Sequence, residues 1–288
     1  MSRVLEELLH LLKLEAMGDD VFVGRSQDLG WGRVYGGQVL GQALSAAERT
    51  VDSTRLAHSF HSYFLRPGNP RESIEYRVER TRDGRSFSTR RVRAEQDGRP
   101  IFFLAASFQI PESGLEHQDA APDVTGPDGL LSFTDLIRKH ADLLPEAMSD
   151  WAMMDFPIEM RPVKISDPMN PAPSDPVQHV WLRVSSDLPD DPALHRYLLA
   201  YASDFILLDT ALLPHGKSYW QGGLRMASID HAMWFHHDIR MDDWLLYALD
   251  SPSASGARGL VHGQFFDRRG VLVASLMQEG LIRVVDPS

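Results

Sequence analysis

One short pattern of residues occurs twice in this chain, in the same order and at nearly one spacing. That restricts the fold to two copies of a single unit. Residues 57–64 read AHSFHSYF and residues 227–235 read ASIDHAMWF, so that His58 and His61 correspond to Ser228 and His231 at an offset of 170 residues. AASFQ ends at Gln109 and ASLMQ ends at Gln278, an offset of 169. Between these anchors SFSTRR (Ser86 to Arg91) corresponds to SASGAR (Ser253 to Arg258), at an offset of 167. Any one match would arise by chance, but three in order at almost one offset point to repetition. The copies differ at polar positions, and those differences are where chemistry is to be sought.

The elements between the anchors describe the unit. Residues 3–13 form an amphipathic helix and Asp20 to Gly24 a first strand. GGQVLGQALSAAERT, from Gly36 to Thr50, reads as a helix. Its Gly37, Gly41, Ala43, Ala46 and Ala47 leave narrow sides that let it lie close to a sheet, at a cost of about 1 kcal/mol per interior glycine. Four strand-like stretches follow at 56–65, 72–82, 85–96 and 100–110, with turn signals at Pro67-Gly68, Asp83-Gly84 and Asp97-Gly98. Prolines then interrupt the pattern from 111 to 176, with one helical piece from Phe133 to Leu144. The second copy opens with strands near 157–165 and 177–186. A long helix from Asp191 to Leu213 comes next, with Asp191 as N-cap and Pro192 at its first position. Strands follow near 224–236, 241–250, 257–266 and 270–284. A long central helix on a curved antiparallel sheet, twice over, is an α+β double hotdog whose halves join into one continuous sheet. The expected division is an N-terminal hotdog repeat at 1–115, a connector at 116–155, and a C-terminal repeat at 156–288 that carries the catalytic residues.

Composition narrows the class. Zero cysteines among 288 residues exclude disulfides, thiolate zinc sites and a cysteine nucleophile, and fit a reducing, cytoplasmic setting. A net charge of −11 argues against nucleic acid as a partner. No apolar run reaches the roughly 18–20 residues of a membrane span, so no membrane insertion is expected. The N-terminal helix contains Glu6 and Glu7, unlike a secretory signal. Arg77, Arg80, Arg82, Arg85, Arg90, Arg91, Arg93 and Arg99 crowd one short stretch. This is either a solvated hairpin surface or a landing strip for phosphates.

Three polar residues stand out against apolar surroundings. Asp204 lies in AYASDFILLDTALL, where an ionised carboxylate costs several kcal/mol unless it is hydrogen-bonded or its pKa rises. It reads as a functional acid or as a bridge to backbone; Asp209, nearer the helix end, is a weaker candidate. Ser228 begins the strand SIDHAMWF, where alternation puts Ser228 and Asp230 on one face and His231 on the other. That disfavours a local Ser–His dyad, and no Gly-x-Ser-x-Gly elbow occurs in the chain. Gln278, in VLVASLMQEGLI, needs partners for its amide if buried. Taken singly, Ser228 and Gln278 are also ordinary strand residues. Asp230, His231, His236, His237 and Asp238 scatter over both strand faces, so no metal site is expected. GGQVLG lacks the Lys-Ser/Thr of a phosphate loop.

The segments GGQVLGQAL, LAHSFHSYFLRPG, RDGRSFSTRRV, YASD, IDHAMWFH and VASLMQEGLIR together resemble acyl-CoA thioesterase II, a bacterial double-hotdog family related to a peroxisomal enzyme of eukaryotes. The likeness covers nearly the whole chain and is weakest in the connector. It implies hydrolysis of acyl-CoA to a fatty acid and CoA, with no cofactor. It also implies that Asp204, Ser228 and Gln278 orient the attacking water, Ser228 standing where many relatives have threonine. Counting back along the repeat pairs Asp204 with Gln38, Ser228 with His58 and Gln278 with Gln109. On that pairing the first copy lacks a carboxylate at the base position and each chain has one site. Gln38 and His58 then either line the substrate tunnel or, for His58, sit in the core. Arg90, Arg91 and Arg258 are the candidates to meet the CoA phosphates, and assembly into homo-dimers or tetramers is a family expectation. A hotdog dehydratase or hydratase and a non-catalytic acyl-CoA sensor are the alternative functions.

Overall fold

The structure is a computed structural model that describes residues 2–139 and 155–285. The first copy runs α1 (Arg3–Leu12), β1 (Glu15–Gly18), β2 (Val21–Gly24), α2 (Gly36–Glu48), β3 (Leu56–Phe64), β4 (Ile74–Asp83), β5 (Phe87–Gln96) and β6 (Arg99–Gln109). A short α3 (Phe133–Lys139) lies in the connection. The second copy runs β7 (Ile158–Pro162), β8 (Val177–Val184), α4 (Pro192–Ser203), β9 (Leu224–Ser228), β10 (Asp230–Phe235), β11 (Leu245–Ser255), β12 (Arg258–Asp267) and β13 (Leu272–Val284). Two 3-10 segments, Leu208–His215 and Tyr219–Gln221, precede β9.

Among the described residues all 13 strands belong to one antiparallel sheet ordered β1-β2-β4-β5-β6-β3-β10-β13-β12-β11-β8-β7, with β9 also pairing with β13. Read outward from the β3–β10 joint, the halves have the same topology: β3, β6, β5, β4, β2, β1 on one side and β10, β13, β12, β11, β8, β7 on the other. The joint aligns His61 with Ala232 and Phe60 with Met233. The protein is therefore a double hotdog with a single continuous sheet. Alternation along each strand sends the apolar side chains, such as Phe102, Leu104, Ala106 and Phe108 of β6, beneath the helices.

Each central helix has a local cause. In α4, Asp191 Oδ1 accepts from the Ala193 and Leu194 N–H groups and Pro192 occupies the first turn. In α2 every residue from Gly37 to Ala47 is buried, so packing rather than capping fixes it. The glycines of α2 do not serve an approach to the sheet, as their spacing predicts; they face α4. A Cβ on Gly37 would stand 2.1 Å from the Tyr201 carbonyl oxygen, and one on Gly41 would stand 3.0 Å from that of Tyr197. The helices run antiparallel, and Gly41 and Tyr197 are each the sixth residue of their helix, so this contact lies on the pseudo-twofold axis of the repeat.

Two predicted elements prove to be divided. The helix expected over Asp191–Leu213 stops at Ser203, with Asp204 as its C-cap. Ile206 then takes a left-handed conformation (φ 57°), unfavourable for a β-branched residue, and the chain resumes as the 3-10 segment. The strand expected over 224–236 breaks at Ile229. There the Ile229 N–H donates to Glu279 O, and Asp230 Oδ1 accepts from the Glu279 N–H at 2.7 Å, which together stitch a bulge into the ladder. Of the connector, residues 117–130 lie over the outer face of the second half: Gln118 Nε2 donates to Gly270 O, and the Trp181 indole donates to Thr125 O. Part of the predicted 133–144 helix falls outside the described residues. The stretch Pro192–His215, contrary to the sequence reading, has the length and mean hydropathy (1.3) of a bilayer span. Its apolarity is matched by burial between α2 and the sheet.

Gly41→Ala tests the helix contact. In an ordinary helix interior this change stabilises by about 1 kcal/mol; here overpacking against Tyr197 O and Leu12 should reverse the sign and destabilise by about 1–3 kcal/mol in urea unfolding.

Candidate active site

The close helix contact delivers the start of α2 to the end of α4. Asp204 ends α4 with its carboxylate against Gly36 and Gly37: the Gly37 N–H donates to it, and a Cβ on Gly36 would stand 2.4 Å from Oδ2. A side chain at Gly36 would displace the carboxylate, and one at Gly37 would strike the Tyr201 carbonyl and the Tyr35 ring. The N-terminus of a buried helix also favours negative charge there. Tyr35, just ahead of α2, stacks on Phe205 and donates from its hydroxyl to Tyr201 O at 2.9 Å, locking the two helix ends together.

The bulge at Ile229 supplies the next two groups. Strand alternation predicts Ser228 and His231 on opposite faces, but the extra residue restores both to the helix-facing side. Ser228 pairs with Gly280, two residues beyond Gln278 on the same face of β13. Ser228 Oγ donates to Asp204 Oδ1 at 3.1 Å, and Gln278 Nε2 donates to Ser228 Oγ at 3.1 Å. Gln278 also bonds the Asp204 carboxylate. Three groups spread over 75 residues of chain thus converge, Gln278 buried and Asp204 and Ser228 half-buried.

Burial pushes the Asp204 carboxyl up to about 6, opposed by hydrogen bonds from Gln278, Ser228 and the Gly37 N–H and by the Arg33 guanidinium. Asp209 is raised to about 6 as well, by burial alone. The shift therefore does not single out Asp204; its converging donors do.

Both family models that match the chain describe the same enzyme class: acyl-CoA thioesterase over residues 148–281 and the acyl-CoA thioesterase N-terminal domain over 26–109. The chain is 43% identical to acyl-CoA thioesterase 2 of Haemophilus influenzae, over 98% of this chain and 99% of that one. The chain belongs to the acyl-CoA thioesterase II family. Human acyl-coenzyme A thioesterase 8 is 42% identical, over 95% of this chain and 88% of its own length. The crystal structure of an acyl-CoA thioesterase II from Mycobacterium marinum matches with a TM-score of 0.80 at 41% identity, over 97% of this chain and 99% of that one.

The other residues predicted for the site lie elsewhere. Gln38 is buried in a network of its own, donating to Arg25 O and Gln42 Oε1 and accepting from the Gln27 N–H. His58 sits in a β3 bulge, with Nε2 2.8 Å from Ser107 Oγ and its ring against Phe87, on the face away from the helices. Gln109 shares that outer face by alternation. Arg90 is fully buried and commits its guanidinium to Thr50, Asp83 and the carbonyls of Arg82 and Thr89, so it is a structural arginine and not a phosphate ligand. Arg91 is exposed on β5, with three strands between it and β13, and Arg258 is paired with Glu279 at 2.7 Å.

Helix position also corrects the pairing of the copies. Glu48 is the thirteenth residue of α2 as Asp204 is the thirteenth counted from the start of α4, so Glu48, not Gln38, occupies the equivalent place. A carboxylate is thus present in the first copy, pushed up to about 7 by burial and bonded by Tyr197. Its Oε2 has no hydrogen-bond partner, and His58 and Gln109 turn away from it. Sequence reasoning missed Gly36, Gly37, Arg33 and His231 as parts of the site. Two signals point to them in the sequence, the GG pair, which packing alone also explains, and the recurrence of His231 at the repeat spacing.

The raised Asp204 pKa has a signed consequence. A carboxyl whose folded value exceeds its unfolded value (3.8) binds protons more tightly in the folded state, so stability is lost as pH rises from about 4 to about 6 and stays lost above. Asp204→Asn should therefore gain stability relative to the parent chain across that interval and hold the gain at pH 8. Urea unfolding at pH 4 and pH 8 measures the difference.

Proposed function

We propose that this chain hydrolyses acyl-CoA by direct attack of a water held between Asp204, Ser228 and Gln278. The observation that carries the reading is the convergence of the three side chains on one another at hydrogen-bonding distance beside the start of α2. The printed names of the relatives supply the substrate class.

With a pKa of about 6, Asp204 is ionised at neutral pH yet close enough to it to take a proton from water. Ser228 and Gln278 fix the direction of the water's lone pair, turning a bimolecular encounter into an oriented one. As the C–O bond forms, the water's proton passes to Asp204 and the carbonyl oxygen becomes an anion. The positive end of α2 is the nearest field that favours it. Collapse breaks the C–S bond, and Asp204 returns the proton to the leaving CoA sulfur, restoring the carboxylate. The acyl chain is assigned to the apolar space between helices and sheet. Arg33, which favours the Asp204 anion, and the more distant Arg91 and Arg258 are assigned to the CoA side. Covalent catalysis through Ser228 is disfavoured, since its hydroxyl donates to a carboxylate and not to a histidine. A hydratase-type His–Asp pair is disfavoured because Gln278 stands between His231 and Asp204.

The division into repeats at 1–115 and 156–288 with a connector at 116–155, and one active site per chain, belong to the same reading. The outward turn of His58 and Gln109 supports the single site. A cytoplasmic location fits the lack of cysteine.

Asp204→Asn should lower kcat for a saturated acyl-CoA by about 10²–10⁴. Ser228→Ala and Gln278→Ala should lower kcat more than they raise KM; a change confined to KM would remove them from the water site. For the parent chain, kcat/KM should rise with pH through about 6 and then level off, because the base works only when ionised. Thiol-reagent detection of released CoA measures all of these, and binding without release would mark a sensor instead.

Homo-dimers or tetramers are proposed to form through the outer face of the sheet at the joint, where Tyr63 and Met277 are exposed at 47% and 39%. Met277→Glu should shift sedimentation toward the monomer; an unchanged sedimentation coefficient would clear that face.

A further inference from the structure

The water site depends on the orientation of one amide. Gln278 serves Ser228 and Asp204 only if its Nε2 faces them. If the amide turned over, Oε1 would meet a carboxylate and a hydroxyl oxygen whose proton is already committed. Shape does not choose between the two, because the ends of a glutamine amide are nearly the same size. Something behind Gln278 has to tell them apart.

His231 is placed to do so. It is fully buried, its Nδ1 lies 2.5 Å from Gln278 Oε1, and its Nε2 lies 3.1 Å from Ser203 Oγ. An amide oxygen only accepts, so Nδ1 carries the proton. Burial lowers the imidazole to about 4, so the ring is neutral and Nε2 is a bare acceptor; the single proton of the Ser203 hydroxyl, 3.1 Å from Nε2, is shared with the Ala200 carbonyl at 2.9 Å. The ring is held flat against Phe60 across the joint (centroids 5.9 Å, planes 19° apart), and the His231 carbonyl accepts from Ser62 Oγ at 2.8 Å. Three hydrogen bonds thus run one way, His231 to Gln278, Gln278 to Ser228 and Ser228 to Asp204, and Ser203 Oγ stands behind them between His231 Nε2 and the Ala200 carbonyl.

We propose that His231, backed by Ser203, is a positioning residue that locks the Gln278 amide with its N–H groups toward Ser228 and Asp204. This rests on the water-site reading above. It acts on the substrate only through Gln278, and it draws on the first copy for its rigidity through Phe60 and Ser62.

Three variants and one double variant test it. His231→Leu keeps an apolar side chain in place but removes the donor, and kcat should fall about 10- to 100-fold with KM nearly unchanged. The acid limb of its pH profile should move up from about 6, because a turned amide no longer donates to Asp204. His231→Asn, whose amide nitrogen reaches the place of Nδ1, should recover most of the rate and return the limb. Ser203→Ala should lie between the parent and His231→Leu, and serves if the leucine variant fails to fold. Adding His231→Leu to Gln278→Ala should cost nothing further in kcat. A parental kcat in both His231→Leu and Ser203→Ala, or full additivity in the double variant, would overturn the relay while leaving the water site intact. A parental kcat in Gln278→Ala would overturn the water site itself.

Discussion

A backbone-to-backbone approach between two antiparallel helices is the constraint on which the rest of the structure depends. Without side chains at Gly37 and Gly41, α2 reaches the carbonyls of Tyr201 and Tyr197, and its first turn arrives at the Asp204 carboxylate. That single contact does two things. It seals the core between the copies, and it places the positive end of one helix against the acid that ends the other. The cost is borne locally: α4 stops early, and Ile206 is held in a left-handed conformation just past the acid.

Much of this was legible in the residues and some was not. The repeat fixed the architecture, because the pairs ending at Phe64 and Gln109 mark equivalent strands in both halves and the observed strand order mirrors outward from β3 and β10, whereas SFSTRR lies on β5 and SASGAR on the end of β11 and its turn into β12. Asp204 was visible as a charge in an apolar stretch, a pattern that carries its own energetic warning. Strand parity failed at Ser228 and His231, since a bulge adds one residue and has no reliable sequence mark; Ile229 looks like any strand isoleucine. Arg90 failed for a different reason. A run of arginines on a hairpin reads as surface, yet alternation turns this one inward, where Thr50 and Asp83 absorb its charge. The pairing of Asp204 with Gln38 failed because strand offsets were carried over to helices, whereas the 3-10 insertion before β9 changes the spacing between helix and strand in the second copy only.

The two copies have diverged at matching places while keeping the same frame. Glu48 ends α2 as Asp204 ends α4, but one carboxylate meets a tyrosine and the other meets a serine and a glutamine. The strands show the same split. The bulge in β3 holds His58 toward Ser107 on the outer face, whereas the bulge before β10 returns Ser228 and His231 to the inner one. Buried polar groups in such a core have to be satisfied wherever they fall. The first copy does so with structural bonds, and the second with bonds that lead to the acid.

Joining both copies in one polypeptide has a further consequence at β3 and β10. Two identical hotdogs meeting edge to edge would have to accept every substitution on both sides of the axis at once. A tethered pair is free of that symmetry, so one half can keep the acid while the other lends a helix end, an aromatic platform and a serine as scaffolding, each side evolving under its own demands.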